Sequence, residues 1–189
     1  MKIKVGVFFG GKSVEHEVSV ISGIQAMNAF DREKYDPVPI YITKENEMYT
    51  GEAVGDIKNY RNIPDLLKKS TRFFFICDNG KLNLVQYPEK KFGNSAVDYI
   101  DVAFPVVHGA NVEDGSLQGF LRHYNIPLVG CDVMAAAASM DKYVMKAILK
   151  DNDIPILDCV TLHVREYQAD EEKAYRKVES KIEYPVIVK

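Results

Sequence analysis

The residues best able to do chemistry open the chain: Val5-Gly6-Val7-Phe8-Phe9-Gly10-Gly11-Lys12-Ser13-Val14-Glu15-His16-Glu17-Val18-Ser19. Gly6 to Ser13 spells G-x-x-x-x-G-K-[ST]. In phosphate-binding loops this pattern supplies backbone N–H groups and a lysine to nucleotide phosphates. A second group stands well downstream, His108-Gly109-Ala110-Asn111-Val112-Glu113-Asp114-Gly115. It offers an imidazole and two carboxylates.

The phosphate-loop reading conflicts with its own interior. In such a loop the strand ends at the first glycine, and solvated backbone wraps the phosphates. Here Val7, Phe8 and Phe9 fill that place, and residues of those types belong in a buried strand. The sequence therefore predicts one buried parallel strand over Lys2–Phe9, a turn at Gly10-Gly11, and a helix from about Val14 to Phe30. The chemistry then moves from Lys12 to the helix start and Glu15.

Ligands of open parallel sheets bind beyond the carboxyl ends of the strands. Gly10–Glu17 and His108–Gly115 would both stand there. Free helix N–H groups suit a carboxylate, and Glu15 suits an ammonium. Together they would suit a zwitterion such as an amino acid. Structural roles compete with this. Acidic residues in a first turn complement the helix dipole, which is the ordinary account of Glu17 and serves equally for Glu15. A histidine at a strand end is more often a hydrogen-bonded structural group, and so His108 has that reading too. Glu113-Asp114-Gly115 also reads as a turn and helix cap. Lys142 reads as an exposed first-turn lysine, and His16 and His123 as surface residues. Cys131 lacks a nucleophile's setting. The residues alone support a small-molecule site on an α/β domain and leave its ligand open.

The elements that must position these residues follow from the patterning. Val20, Ile24 and Met27 recur at helical spacing, flanked by Ile21 and Phe30, giving one core-facing stripe. Pro37–Ile42 reads as a second strand, so strand, helix and strand make a βαβ unit with a parallel sheet. Residues 43–97 interrupt the alternation. Within them Phe73–Asp78 and Lys81–Val85 flank Asn79-Gly80, a strong hairpin signal. The pattern resumes with a strand over Tyr99–Val107, a helix over Ser116–Tyr124 and a short strand over Ile126–Gly130. Beyond four alanines, Ala135–Ala138, a helix is expected from Ser139 or Met140 to about Lys150, with Ser139 as N-cap. A strand over Val160–Val164, a charged helix over 168–182 with Glu172 and Arg176 at i,i+4, and a strand over Tyr184–Lys189 complete the reading.

Composition narrows the class. The chain has 189 residues, 47% hydrophobic and 27% charged, with a net charge of −3. This is ordinary for a soluble globular protein and offers no basic surface for nucleic acid. No run approaches a membrane span, and the first apolar run, ending at Gly10, is too short for a secretory signal. Cys77, Cys131 and Cys159 are far apart and form no C-x-x-C pair, which argues against zinc or a disulfide framework. A reduced cytoplasmic setting is expected.

Phe9–Ser19 and His108–Gly119, with Gly130–Lys142 (including Ser139-Met140-Asp141-Lys142) and Pro185–Lys189, resemble the D-alanine–D-alanine ligases of the ATP-grasp superfamily. The resemblance spans nearly the whole chain outside the insertion. It departs at Val112, where the family usually has glycine. It implies a Rossmann-like, pre-ATP-grasp domain over 1–131 with an insertion at about 43–97, then an incomplete ATP-grasp lobe over 132–189. It implies that Glu15 orients the amino group of a first D-alanine, that His108 contacts that substrate near its carboxylate, and that Val18 lines the pocket. Lys142 and Lys189 would contact ATP phosphates. The first carboxylate would attack the γ-phosphate of ATP, and the amine of a second D-alanine would displace phosphate from the acyl phosphate, for peptidoglycan synthesis. ATP and Mg2+ (or Mn2+) are implied, with metal ligands expected beyond residue 189. A cytoplasmic homodimer acting on D-alanine and ATP, without nucleic acid or membrane, is implied as well. A chain ending inside a strand is expected to be a truncated part, inactive alone. The rivals are D-alanine–D-lactate or D-alanine–D-serine ligation, a non-catalytic amino-acid-binding module, and a P-loop phosphotransferase.

Overall fold

A computed structural model describes every residue except Met1, Asn79 and Lys189. The expected turn at Asn79-Gly80 and the expected phosphate contact of Lys189 thus fall, in part or whole, outside the described residues. The chain divides into two compact units, Met1–Met140 and Asp141–Lys189.

In the first unit, β1 (Ile3–Gly10) pairs in parallel with β2 (Tyr35–Ile42) on one side and β7 (Val102–Pro105) on the other. The 43–97 stretch extends this parallel centre. β3 (Met48–Thr50), β4 (Thr71–Asp78) and β5 (Lys81–Gln86) add antiparallel strands, followed by β6 (Ala96–Ile100). The seven-stranded order is β6-β5-β4-β3-β2-β1-β7. The expected hairpin forms with Asp78 opposite Lys81.

Tyr99–Val107 does not make the single strand expected. It breaks at Asp101 into β6 and β7, because Asp101 is fastened to β1. Its N–H donates to the Lys4 carbonyl and its carboxylate accepts from the Lys4 N–H, both at 2.9 Å. The two end strands of the order are therefore joined by one residue, so the sheet curls until its ends meet. Gly6 fits this closure, since a Cβ there would lie 2.8 Å from Ile100 Cδ1. Ile126–Gly130 reduces to one parallel bridge, Leu128 to Ala103.

Alternation along β1 sends Phe8 into one core and Val7 and Phe9 into another. All three are 0% exposed, which excludes a solvated phosphate loop at these residues. Phe8 packs with Ile40, Phe75, Leu84, Ile100 and Leu121. Val7 and Phe9 pack with Val20, Ile24 and Met27 of α1 (His16–Ala29) and with Tyr41, Val54 and Leu66. Ile21 leaves the expected stripe and is half-exposed. α2 (Ile63–Lys68) follows two short 3-10 turns, and α3 (Ser116–His123) and α4 (Val133–Met140) follow β7.

The second unit holds α5 (Lys142–Asp151), α6 (Val164–Ala169) and α7 (Glu171–Glu179). Ser139 is not the cap expected, because it lies inside α4. Asp141 takes that role for α5, accepting from the N–H groups of Tyr143 and Val144. The expected charged helix begins at Glu171 and carries the Glu172–Arg176 pair at 3.7 Å. Neither Val160–Val164 nor the described part of Tyr184–Lys189 is a strand. A strand exists only as a paired ladder, and no segment among residues 141–188 supplies a partner.

Candidate functional site

The end of β1 and the start of α1 are held by a serine and a turn. Ser19, fully buried, accepts from the Gly10 N–H and donates to the Val106 carbonyl. This ties β1, α1 and the segment after β7 to one point. Gly11 has φ +94°, and a Cβ there would lie 2.5 Å from Val112 Cγ1. Glycine is required at Gly11 both for that backbone and for that contact.

Ser13 brings the two candidate loops together. Its hydroxyl donates to the His108 carbonyl at 2.6 Å and accepts from the Glu15 N–H at 3.0 Å. Glu15 occupies the N-cap of α1 yet makes no side-chain cap bond. Its carboxylate instead lies against Gly109, where a Cβ would meet Glu15 Oε2 at 2.7 Å. The histidine loop is braced separately. Glu113 accepts from the Gly109 N–H at 2.6 Å, and Asn111 donates from its side chain to the Lys12 carbonyl at 3.0 Å. Asn111 itself takes φ +68°.

His108 Nε2 lies 3.1 Å from Ser22 Oγ, and its Nδ1 lies 3.9 Å from Glu113 Oε1. Glu15, Val18 and Ser22 recur at i, i+3 and i+7, which is one face of α1. Val18 is 54% exposed on that face. Three expected residues, Glu15, Val18 and His108, are thus assembled around one helix start. Lys142 stands in the second unit as the first residue of α5.

Other residues have structural occupations. Hydrogen bonds from Ser116, with others from the Asn111 and Ser116 N–H groups, hold the Asp114 carboxyl below its ordinary value. Asp114 is accordingly the turn cap that its sequence suggested. Glu17 is held below its ordinary value by a 2.6 Å hydrogen bond from Lys44. His123 is exposed as expected. His16 is not a surface residue: it is 4% exposed and bonded at both ring nitrogens. Sequence reasoning also missed Ser13 and Ser22 as partners of His108. The spacing of Ser22 from Glu15 and Val18 was the available signal. Val112, the departure from the family pattern, is buried and keeps an ordinary backbone, the positive φ falling on Asn111 instead.

A cavity of about 530 Å³ lies on another side of α1, lined by His16, Glu17, Val20, Ile21, Tyr41 and Tyr60 among others. None of Glu15, Val18 and His108 lines it, so their cluster is a separate place. Among the described residues, no group of three or more His, Cys, Asp or Glu side chains could hold a metal ion. No helix among them is long and apolar enough to cross a membrane.

Residues 4–131 match the family model described as the D-ala D-ala ligase N-terminus. Proteins named D-alanine–D-alanine ligase are similar across the chain. That of Thermosipho melanesiensis is 38% identical over 99% of this chain and 49% of its own length. That of Caldicellulosiruptor bescii is 40% identical over 100% of this chain and 50% of its own. The chain spans about half the length of these curated relatives. Among solved structures, the D-alanine-D-alanine ligase from Coxiella burnetii superposes with a TM-score of 0.75 at 28% identity, covering 93% of this chain and 49% of that one. The VanG D-Ala:D-Ser ligase from Enterococcus faecalis gives 0.73 at 28% identity, covering 98% and 51%.

Proposed function

Since this chain belongs to the family of D-alanine–D-alanine ligase N-termini, we propose that it forms the first-substrate part of an enzyme joining two D-alanines for peptidoglycan synthesis. The observation that carries this reading is the pairing of Glu15 with His108 through Ser13, with Val18 on the same face of α1 as Glu15. Glu15 receives the ammonium of the first D-alanine. Val18 lies against its methyl group. His108, steadied by Ser22, stands by the carboxylate. Fixing the amine and methyl leaves the carboxylate as the reacting end, and such positioning is a large part of the catalysis of phosphoryl transfer.

ATP supplies the phosphoryl group that turns a poor leaving oxide into phosphate. Lys142 contacts its phosphates in this reading, together with Lys189. Among the described residues no group of three or more His, Cys, Asp or Glu side chains could hold a metal ion, and the metal ligands are assigned to the region that the relatives carry beyond the half they share with this chain. The substrate domain is taken as 1–131 and the start of the ATP-grasp lobe as 132–189. The enzyme works as a cytoplasmic homodimer, and residues 1–189 alone do not turn over ATP.

The likeness to a D-Ala:D-Ser ligase supports one second reading, in which D-serine is the second substrate. ADP release is measured with D-alanine, D-serine and D-lactate as second substrates, using a protein that continues into the region the relatives have. Preference for D-alanine is expected, and preference for D-serine or D-lactate overturns it. D-alanine-dependent ADP release by the 189 residues alone contradicts their assigned inactivity.

A further inference from the structure

His16 is the first residue of α1, and its ring is buried between two partners. Nδ1 lies 2.7 Å from the Gly11 carbonyl, and Nε2 lies 3.0 Å from the Tyr41 hydroxyl. The two rings meet edge to face with centroids 5.5 Å apart. A carbonyl only accepts, so Nδ1 carries the proton. With the proton on Nδ1 alone, Nε2 is an acceptor and the Tyr41 O–H donates to it. Burial, with Glu45 and Glu17 acting in the same direction, pushes the Tyr41 phenol up to about 12, which keeps that hydroxyl protonated. The relay therefore runs one way, from Tyr41 through His16 to the Gly11 carbonyl.

The Gly11 carbonyl also accepts from the Ser13 N–H at 3.0 Å. Ser13 is the residue whose hydroxyl binds both His108 and Glu15. Val112 blocks the other approach to Gly11, within 2.5 Å of a Cβ built there. The turn is thus gripped at its α-carbon by Val112 and at its carbonyl by His16.

We propose that His16 is the positioning residue of the amino-acid site: with Tyr41 it fixes the Gly11 carbonyl and, through Ser13, sets where Glu15 and His108 stand. This rests on the reading of that cluster as the first-substrate site. A residue that only fills the core would affect stability without favouring one substrate over another.

The test uses the protein continued into the region its relatives carry. His16→Ala is expected to raise KM for the first D-alanine about tenfold, the scale of a lost buried hydrogen bond. KM for ATP and kcat are expected to stay within about twofold. His16→Asn keeps an amide N–H able to reach Gly11 and should recover most of the loss. Adding Tyr41→Phe to His16→Ala should cost nothing more, because the two belong to one relay. Equal rises in both KM values, or an asparagine variant no better than alanine, overturn the proposal.

Two measurements stand without turnover. Long-range proton–nitrogen spectra should place the His16 proton on Nδ1, and a proton on Nε2 alone overturns the relay. Amide exchange at Ser13 and Glu15 should quicken at least about tenfold in His16→Ala relative to wild type and return most of the way in His16→Asn, and unchanged exchange in His16→Ala overturns it. Wild-type protein lacking D-alanine-dependent ADP release would refute the ligase reading, and the exchange result would still decide the relay.

Discussion

Residues 1–140 and 141–188 are built on different terms. In the first, the central strands β1 and β2 are buried on both faces, and large side chains such as Phe8, Ile40, Leu82 and Leu121 are wholly enclosed. In the second, Ala174 is the sole buried residue among those described, and the elements are helices with local caps. A helix satisfies its backbone within itself and can be finished by one nearby side chain. A strand needs a partner from elsewhere. Of the expected site residues, Glu15 and Val18 stand at the start of α1, just after the buried strand β1, and His108 follows β7, whereas Lys142 begins a helix of the second unit.

The sharpest way to break this comparison is to open the first core. Phe8→Ala should cost about 3–5 kcal/mol in urea denaturation, and a loss under about 1 kcal/mol would mean β1 is not the buried centre. Val112→Gly restores the residue usual in the family but empties the space against Gly11. It should cost about 2–3 kcal/mol, and a neutral result would show that Val112 does not grip the turn.

A smaller effect follows from pH. Tyr41 loses its proton near 10 when unfolded and near 12 when folded, chiefly through burial. Between those values the unfolded state binds fewer protons, so stability falls as pH rises. Below that window the group contributes nothing. Denaturation from pH 9 to 11.5 should show the fall, and Tyr41→Phe should flatten it. The smallest effect lies in the second unit. Asp141→Ala should cost α5 about 1 kcal/mol, seen as faster amide exchange in Lys142–Asp151 with β1 unchanged.

What could be read from the sequence was what is local. Val7-Phe8-Phe9 announced a buried strand, Val20, Ile24 and Met27 announced the face of α1, and Asp78 and Lys81 found the expected register. The break at Asp101 could not be read, because its cause is Lys4, 97 positions away. The unpaired segments near Val160 and Tyr184 misled for the complementary reason: β-type residues were present and partners were not. Glu15 and His108 stood out by residue type, but Ser13, which joins them, did not. His16 was misread although the signal was there. It continues the stripe of Val20, Ile24 and Met27 by one helical turn, and a polar residue on a core stripe implies buried partners.

The proposed function requires the opening segment to hold an amino acid through Glu15 and no nucleotide through Lys12. It is tested most directly by comparing Glu15→Gln with Lys12→Ala, in the protein continued as its relatives are, by KM for the first D-alanine and for ATP. Glu15→Gln is expected to raise KM for D-alanine by about a hundredfold, as for a lost charged hydrogen bond, while Lys12→Ala leaves KM for ATP unchanged. Loss of ATP binding in Lys12→Ala, with D-alanine unaffected in Glu15→Gln, would contradict it.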